Sequence, residues 1–166
     1  MRIFEILRTL IYTAVFVATW AWVATLVRPL DARLAWTIPA AVGPAGWVLA
    51  IPGGALALAS ALWFAVAGRG TPAPFDAPRE FVASGPYRYV RNPMYIGAAM
   101  VIAGAGLIVG SPAIVLLTVG FLLFFHVFVL VYEEPTLREK FGQSYRDYCA
   151  RVRRWLPRFR VSASSG

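Results

Sequence analysis

PMYIGAAMVIAGAGLIV (93–109), GSP (110–112) and AIVLLTVGFLLFFHVFVLVY (113–132) run on without one Asp, Glu, Lys or Arg. A helix rises about 1.5 Å per residue and a bilayer core is about 30 Å thick, so the 20-residue second run is long enough to cross and the 17-residue first run is short for a span. Three residues between them allow only a tight turn, so the two runs form a helical hairpin. Pro93 and Pro112 fall in first turns, where the missing N–H is not needed.

Upstream, Thr9 to Val27 is a further uncharged run of 19 residues, too long for a signal-peptide core and read as a retained span. Trp36 to Ala67 is uncharged over 32 residues but interrupted by Pro39, Pro44 and Pro52-Gly53-Gly54. It divides into an interfacial or re-entrant start at 36–44 and a kinked span at 45–67. Gly68 to Asn92 is a polar, proline-rich connection. The sequence therefore predicts an all-α, polytopic membrane protein with four spans. It reads as N-terminal spans (1–67), a unit of loop, hairpin and C-terminal helix (68–160), and a disordered tail (161–166).

Composition agrees. Of 166 residues, 59% are hydrophobic and only 14% charged, and mean hydropathy is +0.64. A soluble domain carries about 25% charge. Disordered chains, disulfide scaffolds and water-surfaced enzymes are excluded. Cys149 is the only cysteine, so no intrachain disulfide or cysteine zinc cluster forms, and no metal site is expected.

The net charge of +8 is distributed unevenly. With four spans, the N-terminus, the 68–92 loop and the C-terminus share a side and hold 14 of the 16 basic residues. Positive charge marks the cytoplasmic side, so the loop and the C-terminus are placed there. Fifteen of the basic residues are arginine, which points to a GC-rich bacterial genome and an inner membrane. The Arg151–Arg160 cluster is read as meeting anionic phospholipid, not nucleic acid. The six tryptophans (Trp20, Trp22, Trp36, Trp47, Trp63, Trp155) are read as interfacial anchors. Gly106 and Gly110 are read as a small-residue packing stripe, with Gly97 and Gly104 also permitting close approach.

Two segments meet at the charged end of the hairpin. One is Ser84-Gly-Pro-Tyr-Arg-Tyr-Val-Arg-Asn-Pro-Met-Tyr-Ile-Gly97, and the other begins at Glu133-Glu134-Pro135 and runs through Phe141-Gly142, Tyr145 and Tyr148 to Trp155. Carboxylates suit a ribose diol or an ammonium group, arginine suits a carboxylate, and aromatic rings suit a base or a cation. From the residues alone the site suits an amphoteric, nucleoside-like ligand. His126 lies seven residues before Glu133, on the same helix face about 10 Å deeper, either as an intramembrane functional group or as a helix-to-helix hydrogen bond. Glu133 and Glu134 equally read as a helix-end ion pair with Arg88, Arg91 or Arg138.

Gly85-Pro-Tyr-Arg-Tyr-Val-Arg-Asn-Pro-Met-Tyr-Ile-Gly97, followed by Glu133-Glu134-Pro-Thr-Leu137 and Phe141-Gly-Gln-Ser-Tyr145, resembles the isoprenylcysteine carboxyl methyltransferase family, which belongs with the phospholipid methyltransferases. The resemblance covers about 84–157. It implies an S-adenosylmethionine pocket at the cytoplasmic face lined by Tyr87, Val90, Arg91, Asn92, Pro93, Tyr95 and Gly97 and closed by Glu133 and Glu134. Arg91, Glu133, Glu134 and His126 are then the candidates for catalytic roles. The family's Arg-His-Pro is Arg91-Asn92-Pro93 here, so Asn92 either replaces the histidine as a neutral hydrogen-bonding group or caps the following helix. The implied acceptor is amphipathic or lipid-linked: an isoprenylcysteine carboxylate, a phospholipid head group or a small thiol. The competing class is a non-enzymatic membrane assembly or transport subunit. Heme binding is weakened by the single histidine.

Overall fold

The computed structural model describes residues 2–68 and 81–157; the expected tail at 161–166 and residues 69–80 of the polar connection lie outside these. Five helices account for most of the described chain: α1 (Arg2–Val27), α2 (Gly43–Gly68), α3 (Pro93–Ile108), α4 (Pro112–Phe128) and α5 (Glu134–Arg151). No strand occurs among the described residues, only an isolated parallel bridge between Val90 and Arg153. A π turn, Val129–Glu133, joins α4 to α5, and short 3-10 turns cover Arg28–Arg33, Ala40–Val42 and Gly85–Arg88.

Of the segment at 36–44, residues 36–42 are an entry with a single 3-10 turn and Gly43-Pro44 already begin α2, which runs through Pro52 as one helix. Pro52 has no N–H, so the Val48 carbonyl gives up its intrahelical bond at that point.

Four helices form a bundle. α3 packs between α2 and α4, and α1 closes against α2 and α4. The α2–α3 contact is the tightest because glycines face each other. A Cβ on Gly97 would sit 2.5 Å from the Gly53 carbonyl oxygen, and one on Gly104 would sit 2.5 Å from that of Gly46. The pairs are seven residues apart on both helices, so two antiparallel backbones approach directly. This corrects the expected stripe. Gly106 instead makes room for α4 at Val115, and Gly110, at φ +65°, is the turn.

That turn ends α3 in a Schellman motif: Ser111 N–H donates to Gly106 O at 2.8 Å and Gly110 N–H to Leu107 O at 3.2 Å. Ser111 then caps α4, its Oγ accepting from Ile114 N–H at 3.3 Å. Asp31, from the turn after α1, adds a second cap, accepting from Ala113 N–H at 2.8 Å. Replacing Asp31 by alanine leaves that donor unmatched, and a loss of about 1 kcal/mol is expected. A lower thermal midpoint in detergent with unchanged helicity checks it.

The core between α1, α3 and α4 is aromatic. Phe121, fully buried, lies 4.7 Å from Trp20 in an edge contact, and Phe16 and Phe125 complete the group. Trp20 is therefore a core residue and not an interfacial anchor. Outside, the bundle is apolar: Val15, Val17 and Trp22 of α1 and Leu123, Phe124 and Val127 of α4 all face away from protein. A water-exposed surface of that kind is not stable, whereas lipid suits it. Three helical stretches, Leu7–Arg33, Ala40–Gly68 and Pro112–Arg151, are long and apolar enough to cross a membrane. α3, with 16 apolar residues, reaches about 24 Å.

One end of the bundle carries residues 28–42 and 109–112, held together by Asp31 and Ala113 and by Gly43 beside Ile108. The other end carries 81–92 and 133–157, which build the site.

Candidate functional site

The loop entering α3 is shaped by glycine and proline. Gly85, at φ +58°, lies under the Trp63 ring, where a Cβ would come within 2.6 Å. Trp63 also donates from Nε1 to Ser84 Oγ at 3.1 Å, so this tryptophan fastens the loop to α2. Tyr87 reaches down to α2, donating to Ser60 O at 3.4 Å, while its own carbonyl accepts from the Tyr148 hydroxyl at 2.6 Å. Burial, then the neighbouring Glu133 and Tyr148, pushes the Tyr87 phenol well above the usual tyrosine range, so it remains a neutral hydroxyl.

Residues 90–92 pair with the chain after α5. Arg91 N–H donates to Arg153 O at 2.9 Å and Asn92 N–H to Arg154 O at 3.2 Å. Asn92, with φ −121° and ψ 53°, is outside the right-handed helical region, as the following proline requires. It stands at the N-cap of α3 but makes no side-chain cap bond; its Nδ2 donates to Arg154 O at 3.4 Å instead.

From the other side come the π turn and α5. Gly142, at φ 52° and ψ −124°, breaks α5 into two helical pieces, a conformation closed to side chains bearing a Cβ. The break brings Tyr145 and Tyr148 inward, where Phe81 meets both rings edge-on at 5.8 and 5.1 Å.

The adjacent carboxylates have opposite surroundings. Glu134, buried to 3% side-chain exposure, takes three guanidinium groups: Arg91 at 2.9 Å, Arg138 at 2.9 Å and Arg154 at 2.5 Å, the last through a second contact of 3.0 Å as well. Its hydrogen bonds, first, and its charge raise the Arg154 pKa. Glu133 accepts one hydrogen bond, from the Tyr95 hydroxyl at 3.2 Å, and has no cation partner among the described residues. Arg91 gives Nη1 to Glu134 and also to Cys149 Sγ at 2.8 Å, while its Nε is buried with no hydrogen-bond partner.

Between these elements lies an open cleft, whose empty space with its mouth is about 450 Å³. Tyr87, Arg91, Asn92, Glu133 and Glu134 reach its wall, with Tyr145, Tyr148 and Leu137 from α5. Phe64 of α2, Phe81, Val82 and Val129 complete the lining. Phe64 had no signal in the sequence, being one of 11 phenylalanines and placed in an apolar span.

The remaining sequence-predicted residues lie elsewhere. Val90 is buried in the bridge to Arg153, and Pro93 is buried in the first turn of α3. Gly97 faces α2, against Gly53 and Ala57. Tyr95 is behind Glu133, its ring stacked on Phe125 at 4.3 Å. His126 accepts from Trp155 Nε1 at 3.0 Å and is not on the cavity wall. Of the basic cluster assigned to lipid, Arg154 is turned inward to Glu134, while Arg151 and Arg153 are exposed.

Comparison with known proteins fits this geometry. No curated protein matches the chain. A family model described as phospholipid methyltransferase matches residues 44–144, which run from α2 through the first piece of α5 and so contain most of the cavity wall. That match covers more than half of the 166 residues, and the chain belongs to the phospholipid methyltransferase family of membrane methyltransferases.

Proposed function

We propose that the chain transfers a methyl group from S-adenosylmethionine to an amphipathic or lipid-linked acceptor, in the cavity between the 85–92 loop and α5. The observation that carries this reading is a charge pattern that fits the cofactor's amino-acid and sulfonium parts. Glu133, without an ionic partner, faces the same cavity as Arg91, whose buried Nε–H lacks an acceptor. A carboxylate opposite an arginine N–H matches a cation and a carboxylate on one ligand. Phe64, Phe81, Tyr87, Tyr145 and Tyr148 add ring faces for a flat base or an onium group.

When bound, S-adenosylmethionine supplies an electrophilic methyl group on sulfur. The chain's own residues orient and dehydrate. Tyr87, kept neutral, and the aromatic wall exclude water, and the Glu134–arginine cluster fixes the loop against α5 so that the wall keeps its shape. An acceptor that is already a thiolate or carboxylate needs no base, whereas an amine acceptor must lose a proton. Phospholipid head groups, isoprenylcysteine carboxylates and small thiols remain the acceptor classes. The site is assigned to the cytoplasmic face of a bacterial inner membrane on the basis of the arginine distribution, with Arg151 and Arg153 facing anionic lipid.

Calorimetry on purified protein with S-adenosylmethionine tests the cofactor, and labelled methyl transfer to a native lipid extract tests the acceptor. Glu133→Gln is expected to weaken cofactor binding about 10-fold to 100-fold, the value of one charge-assisted contact. A parent protein that gives no binding heat and no labelled product overturns the assignment.

A further inference from the structure

The Tyr95 ring is 93% buried among core residues, and its hydroxyl is the single group that the described structure offers to the Glu133 carboxylate. Tyr95 itself is not on the cavity wall, whereas Glu133 is. We propose that Tyr95 is a positioning residue: it does not touch the ligand but aims the Glu133 carboxylate at the ligand's cationic group. This rests on the cofactor reading above and names how that site is oriented.

Three observations carry it. First, Glu133 is the last residue of the π turn Val129–Glu133, where the ordinary helix register is lost. The direction of its side chain is therefore set by what holds it and not by helix periodicity. Second, what holds it is rigid. Tyr95 stacks on Phe125 with rings 26° from parallel, and Phe125 is fixed in turn by Phe121 at 4.6 Å and Phe16 at 5.9 Å. A ring so packed has little rotational freedom, and the position of its hydroxyl oxygen is a property of the core. Third, the bond is to Oε2 alone, which leaves Oε1 to accept from a ligand. Glu134 cannot take this part, because three arginines already occupy both of its oxygens.

The arrangement divides the two neighbouring carboxylates. Glu134 ties the loop, α5 and the chain after α5 together; Glu133 is the ligand's carboxylate, and Tyr95 orients it from behind.

A double-mutant cycle on the full chain tests this, with S-adenosylmethionine affinity read by calorimetry. Tyr95→Phe keeps the ring and removes only the hydroxyl, and is expected to weaken binding about 10-fold. Tyr95→Phe combined with Glu133→Gln is expected to bind no worse than Glu133→Gln alone, since the charge that the hydroxyl aims is gone. Ile102→Ala, on the same face of α3 and in the same core, separates aiming from stability: it should lower the melting temperature and leave affinity unchanged. Parental affinity in Tyr95→Phe, or losses that multiply in the double variant, overturns the positioning role while leaving the cofactor reading in place. Absence of binding in the parent overturns both.

Discussion

Glu134→Ala is expected to destabilise the protein by about 3–5 kcal/mol and to free the chain after α5 from the loop. The carboxylate is almost fully enclosed, and its removal strands the Arg91 guanidinium, which is itself only 11% exposed. Arg154, at 32% exposure, loses two contacts at once, while Arg138, half in solvent, loses little because water screens it. The cost comes from leaving buried charge without a counter-charge, not from the intrinsic strength of the pairs. Limited proteolysis at 151–157 and the thermal midpoint check it: faster cleavage and a lower midpoint are expected together. Glu133→Gln should leave both nearly unchanged, because that carboxylate has no cation to strand. A Glu134→Ala protein as stable and as protease-resistant as the parent would show that the cluster does not hold the site.

Gly104→Val is expected to cost about 3 kcal/mol, at the upper end of what overpacking does in cores. The added Cβ would meet the Gly46 carbonyl at 2.5 Å and the Ala50 nitrogen at 2.8 Å, and both are backbone atoms of α2 that cannot rotate away. The helices must separate, and the separation propagates to Phe64 and Ser60 at the site end of α2. Gly120→Val on α4 is the matched control, since nothing lies within 4 Å of its missing Cβ. Thermal midpoints of the two variants decide it: a large drop for Gly104→Val and a small one for Gly120→Val.

Both effects concern contacts between segments far apart in the chain, and this divides what could be read beforehand from what could not. The seven-residue spacing of His126 and Glu133 gave one helix face, which holds for 3.6 residues per turn. The π turn at Val129–Glu133 interrupts that count. Nothing local marks it, because its reason is the fit of Glu133 to Tyr95 and of Val129 to the core. Asp31 was legible only as the one acid on its side of the chain; its partner Ala113 is 82 residues away. Arg154 was one basic residue in a cluster of similar ones until the pairing of 90–92 with 153–154 turned it toward Glu134.

The sequence alone determined the solvent, the hairpin and the meeting of 85–97 with 133–148. Hydrophobic run length, proline position and turn glycines act within a few residues, and a three-residue turn leaves its two helices only one way to pack. Tertiary structure alone decided which glycines pair, which tryptophans pack on the core, and which of two adjacent carboxylates is neutralised and which meets only a tyrosine hydroxyl. Those outcomes depend on helix azimuth and on partners from 20 to more than 80 residues away. Glu133 and Glu134 differ by one position in the chain, but about a quarter-turn of helix separates three arginines from a single tyrosine hydroxyl.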